Sequence, residues 1–179
     1  LFAHDPEPLP KNLTELSLSV VENKAHLGIA VDPDVDRLVL VCEDGSFFGE
    51  EYTIVSIVKY ILSRYPNSRV VSNLSTTRAV KDIALEFSAE HFESAVGEAN
   101  VVQLMKDKKA IVGGEGSGGV IFSLSHYGRD AIVGIALFLS YLSIENKSAS
   151  ALKSLLPNYF MIKDKISLKD MKEFNFDAF

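Results

Sequence analysis

Three aspartates at alternate positions, Asp32, Asp34 and Asp36, lie in the run VDPDVDR between two short apolar segments. Alternation by two in an extended loop turns all three side chains to one side. Like charges this close repel strongly unless a cation sits among them. Oxygen-only ligands select a hard ion, Mg²⁺ or Ca²⁺, over zinc. Three protein oxygens leave positions for water or a phosphate, which is how Mg²⁺ usually sits in phosphoryl-transfer sites.

Other readings of the run stand beside this one. An EF-hand opens with the same Asp-x-Asp-x-Asp, and Glu43 falls at its twelfth position. Arg37, however, stands where that loop needs glycine, and RLVLV reads as strand. A haloacid-dehalogenase-type phosphatase also places Asp-x-Asp after an apolar strand, but wants Thr or Val where this chain has Asp36. A solvated acidic turn leaves Pro33 and Arg37, inside a tightly bounded strand–loop–strand, unexplained.

The second chemical feature is GGEGSGG, from Gly113 to Gly119. Read literally, Gly114-x-Gly116-x-x-Gly119 matches a dinucleotide fingerprint. That fingerprint must open a helix, whereas the strand VIFSL follows here, and Glu115 would point a negative charge at the phosphates. Sugar recognition suits the residues better. Glycines let backbone approach a ligand, Glu115 accepts hydrogen bonds from adjacent hydroxyls, and Ser117 adds one more. The plain alternative is a glycine-rich hairpin joining two strands.

Ser75-Thr76-Thr77-Arg78 follows a strand and opens a helix, where hydroxyls, backbone N–H groups and Arg78 together suit an anion. The competing reading is an N-cap with a surface arginine. The VGEAN segment at 96–100 sits at the next strand-to-helix junction, the edge where open α/β sheets bind ligands. Arg129 and Asp130 read as a pair, or as a cap for the helix that follows. His126 reads as a solvated or hydrogen-bonded residue.

The elements that must position these residues follow from periodicity. The pattern predicts a helix over 10–21, strands over 26–31 and 38–42, and a hairpin-type turn at 43–45. From Gly49 onward strands and helices alternate. Helices are expected over 50–65, 76–87 (capped by Ser75) and 100–107, with strands over 69–73, 90–96 and 110–113. A loop at 114–119, a strand over 120–124 and a helix over 130–144 follow. That helix is apolar nearly all round and should be buried on more than one side. A short helix over 151–156, a strand over 159–166 and the start of a helix over 167–174 complete the expectation. The fold class is α/β: a mixed, mainly parallel sheet with helices on both faces, preceded by a partial domain of the same type.

The 179 residues are 47% hydrophobic and 23% charged, values of a globular chain. A formal charge of −6 offers no basic surface to nucleic acid or an anionic membrane. The longest apolar stretch, 131–142, is too short for a bilayer core of ~30 Å. Cys42 is the only cysteine, so no intramolecular disulfide forms, which fits a reducing, cytoplasmic setting. Asn-x-Ser/Thr triplets at Asn12, Asn73 and Asn146 are then chance matches. The first residue is Leu1, and both ends read as cut from a longer protein.

Taken in order, DPEPLPKNL, VDPDVDRLVLV, NLSTTRAV, VGEANVV, GGEGSGGVIF and HYGRDAIVGIAL resemble the α-D-phosphohexomutase family. This family includes phosphomannomutases, phosphoglucomutases and phosphoglucosamine mutases, and the resemblance runs from about residue 5 to 166. It implies a four-domain isomerase that transfers a phosphoryl group within a hexose phosphate, through a phosphoserine and a hexose bisphosphate. Residues 1–48 would end domain 2, 49–157 would be domain 3, and 158–179 would lead towards domain 4. The metal loop maps onto Asp32, Asp34 and Asp36 holding Mg²⁺, with Arg37 beside it. The sugar loop maps onto Glu115 and Ser117. Pro33 and Val35 stand where many members have glycines, and Gly119 where several have histidine. The phosphorylated serine of domain 1 and the phosphate-binding loop of domain 4 fall outside this chain. The alternative is a sugar-phosphate-binding module that keeps the loops without the chemistry.

Overall fold

Val70 and Val71, neighbours on one strand, belong to two different apolar clusters, and this alternation divides the molecule into layers. The computed structural model describes residues 8–162. After a 3-10 turn at Pro10–Asn12 come α1 (Thr14–Glu22), β1 (Leu27–Val31) and β2 (Leu38–Cys42). They are followed by α2 (Glu50–Arg64), β3 (Arg69–Asn73), α3 (Ala79–Glu86), β4 (Glu90–Ser94) and α4 (Glu98–Lys108). The hairpin strands β5 (Val112–Glu115) and β6 (Gly119–Phe122), then α5 (Ala131–Glu145) and α6 (Ala149–Lys153), complete the order.

The main sheet runs β4-β3-β5-β6. β3 pairs parallel with both β4 and β5, and β6 returns antiparallel to β5. Val70, Val112 and Val120 point towards α2, α3 and α5, while Val71 and Ile121 point towards Val101 and Met105 of α4. Helices therefore cover both faces of a mainly parallel sheet, as the alternation of elements predicts. α2 is the central helix: Ile54, Val55, Ile57, Val58, Ile61 and Leu62 are all buried. Glu50 and Glu51 in its first turn and Arg64 in its last complement the helix dipole.

β1 and β2 form a separate antiparallel pair covered by α1. All five residues of β2 are buried, because its other side packs on α2, α5 and α6. The pair is also joined to the main sheet by backbone: Arg37 bridges Gly119, and Leu38 N donates to Gly118 O at 3.1 Å.

Several boundaries move. Leu13 breaks the first helix into the 3-10 turn and α1. Ser75 does not cap α3, which starts at Ala79. The preceding residues bind elsewhere, Ser75 N and the Thr76 hydroxyl both donating to Asn73 Oδ1, and Thr77 Oγ1 accepts from Ala79 N. The expected loop at 114–119 is half strand, with 116–118 forming the turn, so the glycine segment is a tight β5–β6 hairpin. α5 is not buried on several sides. Ala131, Gly134, Phe138 and Tyr141 form one buried stripe, while Ile132 is 62% exposed and Leu139 45%. The helix layer is one helix deep, and α5 lies at its end beside α2, so its far side faces outwards. Residues 159–162 form no strand, and the remainder of that expected strand and the helix over 167–174 lie outside the described residues.

Glu43 ties the small pair to the last helix by accepting from the Ser150 hydroxyl and, at 3.2 Å, from Ser150 N. Burial alone would raise its carboxyl, but hydrogen bonds from Ser150 and Ser148 outweigh this and bring it to about 2. Its folded pKa lies below the ordinary 4.5, so the contribution is complete above that pH and fades as pH falls towards 2. E43Q should cost about 1 kcal/mol at neutral pH. Chemical denaturation of both proteins should show the gap closing between pH 4.5 and 2; a gap independent of pH would contradict this role for Glu43.

Candidate metal and sugar site

The parallel strands β3, β4 and β5 end side by side at Asn73, Ser94 and Glu115. Ligands bind at such carboxyl ends in open α/β sheets. Glu115 is only 6% exposed, and its oxygens are aimed by neighbours. Asn73 Nδ2 (2.6 Å) and Gly97 N (3.2 Å) donate to Oε1, and Arg129 Nη1 donates to Oε2 at 2.5 Å. A carboxylate offers about four acceptor positions, so capacity remains for a ligand hydroxyl. Glu115 and the half-buried Ser117 share a cavity of about 210 Å³ with Asn73, Ser75, Val96 and Gly116.

The structure thus brings Glu115 and Ser117 together, but places Arg78 elsewhere. It is exposed at the start of α3 and does not line this cavity. The anion expected at residues 75–78 meets competition from within, because Thr77 N already donates to Glu51 Oε2 at 2.9 Å.

The acidic run is not an extended loop. It turns tightly, with Val35 N donating to Asp32 O at 3.1 Å and Val35 in the left-handed region at φ 59°. Asp32 is 2% exposed, and its Oδ1 accepts from the backbone N–H groups of Asp36 and Arg37. Its Oδ2 accepts from Arg37 Nε at 2.5 Å. Asp34 is exposed and Asp36 half-buried. One oxygen from each aspartate lies within 4.8 Å of the others. It is the turn, and not alternation along a strand, that brings the three carboxylates together.

The donor set fits a metal ion on an observation beyond its charge. Asp36 Oδ1 is buried and has no hydrogen-bond partner, with Arg37 Nε 3.7 Å away. An unsatisfied buried oxygen is rare in native structures, and a cation within the triad would satisfy it. Burial and the neighbouring Asp32 raise the Asp36 carboxyl above its ordinary value, against the pull of Arg129. Asp32 is pushed up by burial but held well below its ordinary value by the Arg37 hydrogen bonds. A bound cation favours ionisation of all three.

Arg129 joins the two loops. It pairs with Asp36 through Nη2, with Glu115 through Nη1, and with Glu98 through Nε at 3.2 Å. The sequence reads it as the partner of Asp130 or as part of a helix cap, and its partners are instead these three carboxylates. Asp130 alone caps the helix, accepting from Val133 N at 3.0 Å. The one available signal is electrostatic: two acidic loops meeting in a chain of charge −6 need a cation between them. His126 pairs with Asp130 at 2.8 Å, at the surface.

The model of the family described as phosphoglucomutase/phosphomannomutase, alpha/beta/alpha domain III, matches residues 49–159, and that of domain II matches residues 1–45. The chain belongs to the phosphoglucomutase/phosphomannomutase family. It is 30% identical to a phosphoglucomutase/phosphomannomutase of Thermococcus kodakarensis, over 91% of this chain and 36% of that protein. It is 28% identical to a phosphoglucosamine/phosphogalactosamine mutase of Sulfurisphaera tokodaii, over 93% of this chain and 37% of the relative. Among solved structures, a phosphoglucomutase/phosphomannomutase family protein of Burkholderia thailandensis superimposes with TM-score 0.77 at 28% identity. The match covers 87% of this chain and 34% of that one. The chain therefore spans a little over a third of the length of the curated relatives it matches.

Val35 occupies a left-handed position at φ 59°, and its carbonyl accepts from Ala131 N at 3.0 Å. A β-branched residue is strained there. V35G should raise stability by up to about 1 kcal/mol, with part of the relief offset by the entropy of glycine. The thermal melt should move upwards; a lower melting temperature would show that the side chain of Val35 contributes more than its backbone costs.

Proposed function

We propose that this chain supplies the metal-holding and sugar-recognising segments of a phosphohexomutase. The whole protein would carry a phosphoryl group between the 1- and 6-positions of a hexose phosphate, through a phosphoserine and a hexose bisphosphate. The observation that supports this best is the meeting of the aspartate triad, with its orphaned Asp36 oxygen, and the Glu115 site at one guanidinium. Oxygen-only donors and a site able to keep water or phosphate ligands favour Mg²⁺.

Asp32, Asp34 and Asp36 would hold the ion, with Arg37 fixing Asp32 from behind. When bound, the ion neutralises charge that develops on the transferring phosphoryl group. Glu115 accepts from adjacent sugar hydroxyls, and Ser117 donates or accepts one hydrogen bond more. A pair of readers for hydroxyls shared by both orientations lets a bisphosphate be bound either way round. Arg78, exposed beyond the cavity, suits a more distant phosphate. We place the division between the two family domains near Gly49, with residues 158–179 leading onwards. The nucleophilic serine and the main phosphate-binding loop would lie on the family's domains 1 and 4. The isolated chain would then bind without turnover, and a cytoplasmic setting suits the buried free thiol of Cys42.

Asp34 gives the cleanest test because it is the exposed member of the triad. Saturating Mg²⁺, at about a hundred times its dissociation constant, should stabilise the chain by about 2.7 kcal/mol. D34N should abolish most of that gain while changing metal-free stability by no more than about 0.5 kcal/mol. Differential scanning calorimetry with and without Mg²⁺ measures both quantities. An undiminished Mg²⁺ effect in D34N would sink the metal assignment, and turnover of glucose 1-phosphate by the chain alone would sink the division of labour.

A further inference from the structure

Arg129 reaches carboxylates on three separate chain segments through one planar group: Asp36 in the β1–β2 turn, Glu115 at the end of β5, and Glu98 at the start of α4. Its base is fixed on both sides. Its own backbone N–H donates to Glu98 Oε1 at 2.9 Å, and the next residues are held by Asp130 N donating to Val120 O and Ala131 N donating to Val35 O. The side chain passes directly over Gly119. The three atoms nearest to where a Cβ would stand at that position are all from Arg129, and the closest, Cδ, would overlap it. The bare backbone at Gly119 and the path of the guanidinium are thus one feature.

This geometry divides the oxygens of Asp36. Arg129 takes Oδ2, which leaves Oδ1 of this triad member buried and unpaired. The same plane holds Glu115 Oε2. We propose that Arg129 is a positioning residue for both halves of the site, turning Asp36 Oδ1 towards the metal and setting Glu115 for the sugar. The proposal rests on the metal and sugar reading above. Its competitor is a simple counter-charge, which any cation of similar reach would supply. A guanidinium binds two carboxylates in a fixed fork, whereas an ammonium is a point charge. R129K therefore separates the two ideas, while R129A confounds them, since charge removal favours a cation and lost geometry opposes it.

The test is a Mn²⁺ titration of the 179-residue chain, followed by the paramagnetic resonance of the free ion, for wild type, R129K and G119A. G119A keeps the guanidinium but puts a methyl group in its path. Both variants should bind Mn²⁺ about tenfold more weakly or worse, with unchanged circular dichroism. In amide NMR, Mg²⁺ should shift Gly97 and Gly116 as well as Asp36 and Arg37 in wild type, and only the latter pair in R129K. Wild-type Mn²⁺ affinity in R129K, or sugar-side shifts that persist there, would overturn the proposal and leave the metal reading standing. If R129K does not fold, the same criteria apply to G119A. A wild-type chain that takes up no Mn²⁺ removes the metal reading and this inference together.

Discussion

Negative charge gathered in one place must be held there by something, and here the holding is done by two guanidiniums. Asp32, Asp34, Asp36, Glu98 and Glu115 converge where the strand ends meet, and Arg37 and Arg129 lie between them. At an effective dielectric constant of about 20, two like charges 4 Å apart cost about 4 kcal/mol, so the carboxylates could not gather without these partners. Arg37 neutralises Asp32 from within its own turn. Arg129 crosses between segments, and so the relative placement of the aspartate turn, the glycine hairpin and α4 depends on it. Even with both arginines in place, acid is left in excess, which is the electrostatic condition for taking up a divalent ion.

The glycine segment is moulded around these charged neighbours. Gly118 is in the left-handed region at φ 90°, and a side chain there would run into the backbone of Leu38. That close approach is what lets Leu38 N donate to Gly118 O and fasten β2 to the hairpin. At Gly116 the occupied space belongs to the Glu51 carboxylate, which also receives Thr77 N. The run of glycines therefore serves packing as much as ligand access. The hairpin can be short and bare because β2, α2 and the residues before α5 press on it from three sides.

How much of this is legible in the sequence depends on whether the cause is local. β2, β3 and the span of α2 follow from apolar runs bounded by turn residues, and the structure reproduces them closely. α5 misleads because its composition is apolar all round, whereas burial depends on how many layers surround it, which periodicity does not record. The start of α3 misleads for a related reason. Ser75, Thr76 and Thr77 look like capping residues, but Asn73 and Glu51 claim their donors from outside the helix. The three aspartates are visible because spacing alone marks them. Arg129 is not, since its three acidic partners lie 93, 31 and 14 residues away in sequence, and only the sheet brings them within reach.

The buried, unpaired oxygen of Asp36 shows what the arrangement costs. An unsatisfied buried acceptor costs roughly 1–3 kcal/mol, and folding alone would favour a residue without it. The tight turn that creates the orphan also puts Val35 into a left-handed conformation, a second local expense at the same place. Both are tolerated because the surroundings fix the turn independently of any ion: Asp32 accepts its backbone N–H groups, Ala131 donates to its carbonyl, and Arg129 holds its last carboxylate. A site shaped in advance does not have to spend binding energy on ordering its ligands. A cation among the three aspartates would satisfy the Asp36 oxygen, whereas the backbone cost at Val35, set by contacts that need no ion, would remain.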